Sequence, residues 1–225
     1  MYMNVLLFGA TGMIGQGVLR ECLLDDRVTK VIAVLRTPLD FTHPKLHTIV
    51  HRDFTDFAAL GEEFTSVDAC FFCLGITSAG KNEDEYRSIT YDYTLAAARA
   101  LPTDPALTFV YVSGEGTDST ERGRLMWARV KGRTENALLA MPFRAYMFRP
   151  GYIQPLHGAV AKTAWYRWLY VALSWLYPVL RRLAPNHVTT TENMARAMLA
   201  VAAGAWTGER ILHSPEINRA AAARP

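Results

Sequence analysis

Gly9, Gly12 and Gly15 recur at every third position in the opening stretch Asn4-Val5-Leu6-Leu7-Phe8-Gly9-Ala10-Thr11-Gly12-Met13-Ile14-Gly15. Glycines at this spacing suit an anion. Gly9 lets the chain turn sharply, Gly12 lets the backbone approach a ligand, and Gly15 lets a following helix pack against the preceding strand. The N–H groups that open that helix point at the turn, and the helix dipole adds partial positive charge there, as a pyrophosphate requires. Thr11, Met13 and Ile14 fill the same turn and are assigned with the glycines to a dinucleotide cofactor. The competing reading is an ordinary strand-turn-helix unit whose glycines serve packing only.

Arg36 stands 21 residues after Gly15, at the end of the second apolar run, with no acid beside it. An Asp or Glu there would hold the adenosine ribose hydroxyls of NAD; an arginine suits the 2′-phosphate of NADP, which a guanidinium grips with two parallel hydrogen bonds. NADP is therefore the expected cofactor and NAD the alternative, unless Arg36 is simply a solvated surface arginine. Asp53 follows the third strand, where a carboxylate could accept from the adenine amino group. Leu74 and Gly75 end the fourth apolar run, at the carboxyl edge where ligands of parallel sheets bind.

The elements that must position these residues follow from periodicity. The apolar run at 5–8 reads as a strand buried on both faces, with further strands at 31–35, 46–50, 67–74, 107–112 and 145–148, alternating with helical patterns at 12–24, 82–101 and 121–141. That alternation predicts an α/β fold, a doubly wound parallel sheet with right-handed crossovers. Asn82, with Glu83 and Glu85 after it, is a sound helix start. Residues 1–155 are expected to form the nucleotide-binding domain, and 156–225 a small, mostly helical part packed on it. In that part, Thr189-Thr190-Thr191-Glu192 opens a helix through 203, residues 210–213 are a candidate last strand, and a helix is expected from Pro215.

Residues 164–180 are strongly apolar and aromatic, but Arg167 and Pro178 interrupt them before the ~20 residues of a membrane span are reached. They read as a helix packed on the sheet or on a partner subunit, as the wall of an apolar substrate site, or as a membrane-surface helix ending in Arg181 and Arg182. The net charge of +3 is too small to argue for nucleic acid, and no nucleic-acid partner is expected. Three cysteines, Cys22, Cys70 and Cys73, with no signal peptide, predict a reducing cytoplasm. Cys70 and Cys73 lie three apart on one strand and so point to opposite faces, which argues against a disulfide or shared metal. The histidines show no metal-ligand spacing.

Taken together, the Gly-x-x-Gly-x-x-Gly turn, Ser113 after the fifth strand, Lys131 in the next helix and Arg149-Pro150-Gly151 after the sixth strand resemble the short-chain dehydrogenase/reductase superfamily. The likeness is to its atypical, epimerase-like branch and implies a Rossmann fold. It covers roughly residues 4–155. In that superfamily a Ser and a Tyr bind the substrate oxygen, and a Lys four residues after the Tyr holds the nicotinamide ribose. The lysine ammonium lowers the tyrosine pKa so that the phenol can exchange a proton while hydride moves. The resemblance assigns Ser113 and Lys131 these roles and places Pro150 and Gly151 at the cofactor.

The tyrosine position holds Trp127, and no other lysine has a tyrosine four residues before it. An indole N–H donates only and does not ionise in the working range. Trp127 can orient or stack on a substrate but cannot move a proton. Glu115, two residues after Ser113, is the candidate substitute, since burial beside a cofactor would raise its pKa; otherwise it is a solvated loop carboxylate. Tyr91 and Tyr152 are further candidates for that acid, placed only by their segments, and Tyr152 is also a candidate substrate contact. Two functions stay open: an NADP-dependent oxidoreductase or epimerase-like enzyme with a nonstandard acid, acting on an unidentified small molecule, and a cofactor-binding sensor or scaffold without turnover. Contact with a membrane surface is a weaker third. A homodimer is implied by the resemblance only.

Overall fold

The structure, a computed structural model, describes residues 2–159 and 182–223. The first element is β1 (Met3–Phe8), followed by α1 (Met13–Leu24), β2 (Val28–Leu35) and β3 (Leu46–Val50). After a short α2 (Gly61–Phe64) come β4 (Ala69–Phe72), α3 (Glu83–Arg87), α4 (Tyr93–Arg99), β5 (Thr108–Val112), α5 (Met126–Leu139) and β6 (Arg144–Arg149). The chain continues through β7 (Tyr152–Gln154), β8 (Val188–Thr190), α6 (Thr191–Ala202), β9 (Ile211–His213) and α7 (Ser214–Ala222).

Among the described residues one sheet runs in the order β3-β2-β1-β4-β5-β6-β9, and every pair in it is parallel. This is a doubly wound, Rossmann-like α/β fold. Val5, Leu6, Leu7 and Phe8 are wholly buried because helices cover both faces. Leu7 and Phe71 face a core completed by α1, α6 and α7. Phe8 and Phe72 face the opposite core, against α4 and α5. Phe8 alone meets Phe54, Phe57, Phe64 and Phe72 with ring centroids 5.2–6.4 Å apart, a range in which edge-on aromatic contacts add to simple burial.

Cys70 and Cys73 do face opposite sides of the sheet, and all three cysteines are free thiols. Burial pushes the Cys73 thiol up to about 12, so it stays protonated and unreactive.

Several boundaries depart from expectation. The helix expected over 82–101 opens on the Asn82–Glu85 capping box, but it passes through a π-helical turn, Ser88–Asp92, before α4 resumes. The helix expected from 121 starts only at Met126. Asp118 accounts for the delay: its carboxylate accepts from the backbone N–H of Thr120 at 3.0 Å and of Gly123 at 2.6 Å, and Glu121 turns with φ +61°. These local bonds hold the chain in a loop that competes with helix.

The strand expected near 210 is β9, which pairs with β6 and completes the sheet. A second, two-stranded parallel sheet, β7-β8, was not foreseen. The aromatic stretch 164–180 lies outside the described residues. No helix among the described residues is long and apolar enough to cross a membrane.

Candidate functional site

The strand order reverses between β1 and β4, and the chain segments that leave these two strands form a crevice. Gly9 turns there with φ +83°, in the left-handed region that favours glycine. A Cβ on Gly9 would come within 2.7 Å of the Cys73 backbone and 2.8 Å of Leu74 N. A Cβ on Gly15 would run into the Gly9 carbonyl oxygen. Gly9 and Gly15 therefore let turn, helix and neighbouring strand meet at backbone distance. Gly12 caps α1 with no side chain, and the first turn of α1 carries no acidic residue. The positive end of the helix is thus left open to an external anion.

The crevice is a cavity of about 240 Å³, lined by Gly9, Thr11, Gly12, Arg36, Leu74 and Gly75 among others. Six of the residues assigned to the cofactor from sequence thus share one cleft. Arg36 is exposed, and no carboxylate pairs with it among the described residues. Asp53 is different. Its carboxylate accepts from the Thr55 backbone N–H at 2.9 Å and from its hydroxyl at 2.5 Å, and these bonds hold it below the usual carboxylate range. Its neighbour Phe54 lines the cleft.

Further along the same edge, α5 lies along the loop that leaves β5. The Ser113 hydroxyl, 3% exposed, reaches Glu135 Oε1 at 2.5 Å and the Phe148 carbonyl at 3.1 Å. One turn earlier on the helix, the Lys131 ammonium donates to the Ser113 carbonyl. Burial pulls that ammonium down to about 8, and the Glu135 charge partly opposes the shift. One turn earlier again, Trp127 packs on the loop; a Cβ on Gly116 would be 3.1 Å from its Cη2 atom. Trp127, Lys131 and Glu135 thus share a face, as their four-residue spacing requires.

Pro150 and Gly151 lie against the same loop: Glu115 N donates to the Pro150 carbonyl at 2.9 Å. Glu115 is not buried. Its side chain is 44% exposed and pairs with His187 Nδ1 at 2.6 Å. The Tyr152 hydroxyl donates to Gln154 Oε1 at 2.9 Å. Tyr91 stacks under the Arg133 guanidinium, 4.9 Å away.

Glu135 and His187 are not assigned to this region from the sequence, and Arg149 enters there only as part of the Arg149-Pro150-Gly151 segment. Glu135, wholly buried, holds Arg149 through Nε at 3.1 Å and through Nη2. The Glu135–Arg149 pair was foreshadowed only by the position of Glu135 one turn beyond Lys131. His187 comes from a turn 72 residues beyond Glu115, and no sequence signal points to it.

A family model described as NAD(P)H-binding matches residues 9–147, which span the glycine turn, the cleft and α5. The chain belongs to this NAD(P)H-binding family. Among relatives in sequence, the mitochondrial protein fmp52 of Emericella nidulans is 31% identical over 158 residues, 67% of this chain and 66% of its own length. The mitochondrial protein FMP52 of Saccharomyces cerevisiae is 33% identical over 160 residues, 69% of this chain and 67% of its own. The chain thus matches about two thirds of the length of these relatives. In fold it is similar to a UDP-N-acetylglucosamine 4-epimerase from Methanobrevibacter ruminantium M1, with a TM-score of 0.68 and 16% identity over 94% of this chain and 76% of the other.

The relatives correct one expectation. A cytoplasmic location was read from unpaired cysteines, but the fungal members are named as mitochondrial proteins. Free thiols report reducing conditions and do not name a compartment.

Proposed function

We propose that this member of the NAD(P)H-binding family is an NADP(H)-dependent oxidoreductase or epimerase-like enzyme acting on a small carbonyl or hydroxyl compound. The observation that carries this reading is the single cleft shared by the glycine turn, Arg36 and Gly75, with Lys131 on the same sheet edge. The uncapped start of α1 fits a pyrophosphate. Arg36, exposed and without an acid beside it, fits a 2′-phosphate and favours NADP over NAD. The nicotinamide, when bound, supplies or accepts hydride. Lys131 holds the ribose hydroxyls, and Trp127 orients the substrate at the loop after β5.

Trp127 favours a second reading, a sensor that binds NADP(H) without turnover, because an indole cannot exchange the proton a phenol would. Calorimetric titration with NADPH and NADH, then NADPH absorbance with a panel of aldehydes, ketones and quinones, separates the two. Binding with consumption supports the enzyme; binding without consumption supports the sensor. Failure to bind either nucleotide at millimolar concentration removes both.

A further inference from the structure

If the chain reduces a carbonyl, the oxygen that receives the electron pair needs a proton, and Trp127 has none to give. The described groups along this edge narrow the source. The Ser113 hydroxyl is buried and directed at Glu135 and the Phe148 carbonyl. Lys131 is held by the Ser113 carbonyl. The Tyr152 hydroxyl is directed at Gln154. Tyr91 lies under the Arg133 guanidinium, whereas Glu115 and His187 stand at the loop after β5, joined Oε1 to Nδ1 at 2.6 Å.

Three chain segments converge on this pair. Glu115 N is fixed to the Pro150 carbonyl at 2.9 Å. A Cβ on Gly151 would lie 2.5 Å from Glu115 Oε2 and would collide with the His187 carbonyl. The next residue, Gly116, takes φ +83° and carries the Trp127 indole against its α-carbon. The pair therefore stands beside the residue that replaces the expected tyrosine, at the sheet edge where β5 and β6 end. Glu115 and His187 side chains are 44% and 61% exposed, so water can return a proton to the imidazole.

We infer that His187, oriented by Glu115, is the proton donor and acceptor of this site, in place of the missing phenol. This rests on the oxidoreductase reading above and names the group that completes it. A carboxylate on Nδ1 fixes the hydrogen on that nitrogen and turns Nε2 outward. In the reducing direction the carbonyl carbon gains a hydride from the reduced nicotinamide, and the carbonyl π pair moves to oxygen. The Nε2–H bond of the imidazolium breaks as the new O–H bond forms. The imidazole left behind takes its next proton from water. In the oxidising direction the same nitrogen accepts the hydroxyl proton.

Two measurements on the full chain test the inference. In ¹H–¹⁵N spectra of the imidazoles, with the His187 signals assigned by their loss in His187→Asn, saturating NADP⁺ should move His187 most among the six histidines. In NADPH consumption with the panel above, His187→Ala should lower kcat about 10²-fold, the lower end of what a positioned acid contributes. Added imidazole should restore about ten-fold of that loss, and Glu115→Gln should lower kcat about ten-fold. Unmoved His187 signals with nucleotide bound, or an undiminished kcat in His187→Ala, overturns the assignment and leaves the enzyme reading intact. Nucleotide binding with no consumption by the parent protein overturns the enzyme reading, and the proton-transfer role falls with it.

Discussion

The Ser113 hydroxyl and the Glu135 carboxylate lie 2.5 Å apart, with Glu135 wholly buried. The hydroxyl that the superfamily resemblance assigned to substrate faces the protein interior and helps hold α5 to the end of β5. Arg149 supplies the countercharge from the end of β6.

Glu135→Gln should therefore act on stability before activity. It leaves the Arg149 guanidinium, which is 11% exposed and otherwise held by the Ser119 hydroxyl, without its countercharge, and breaking a buried pair from one side costs about 3 kcal/mol. Urea unfolding should show that loss, and adding Arg149→Met should recover much of it. If the single variant unfolds at the parent's midpoint, the pair carries no structural weight.

Arg36→Ala should weaken NADPH about ten-fold and NADH little, since a charge-assisted phosphate contact at an exposed site is worth about 1.4 kcal/mol. Isothermal titration with both nucleotides reads the difference. Equal losses for the two would remove the preference for NADP.

Lys131 predicts a pH dependence. Its ammonium is pulled down to about 8 by burial, whereas a bound nucleotide's negative charge favours the protonated form and raises that value. Affinity should hold steady below pH 8 and fall as the pH rises through it, and Lys131→Met should flatten the curve at a weaker level. The same shift acts oppositely on folding. Between about pH 8 and the ordinary lysine value the unfolded chain binds more protons, so this group makes the free protein more stable as pH rises there.

Trp127→Tyr places a phenol one turn before Lys131, on the face that lies along the loop after β5. NADPH consumption with a carbonyl panel should rise at least about ten-fold, as expected of an added general acid. No change would mean that position 127 is not at the reacting centre.

The cleft proposed for the nucleotide was legible in the sequence because its parts are local: a strand, three glycines, a helix, and Arg36 at the end of the next strand. Buried parallel strands announce themselves as apolar runs, so β1, β2, β4, β5 and β6 were found near their true bounds, while β3, whose His47, Thr48 and Val50 are exposed, was marked by a weaker pattern. The start of α5 was misplaced because Asp118 captures backbone N–H groups that the apolar pattern alone would assign to helix. The inward direction of Ser113 depends on Glu135, 22 residues away, and His187 meets Glu115 across 72 residues. Such contacts exist only once the sheet has assembled, and no short-range spacing encodes them.

The pairing of β9 with β6 has a consequence for synthesis. Met147, Phe148 and Arg149 find their last backbone partners in Ile211, Leu212 and His213. As the chain leaves the ribosome, the edge of β6 stays open until residues 211–213 emerge, an adhesive ribbon that invites mispairing with another nascent chain. A truncation ending before β9 would carry every glycine of the nucleotide turn and still be prone to clump.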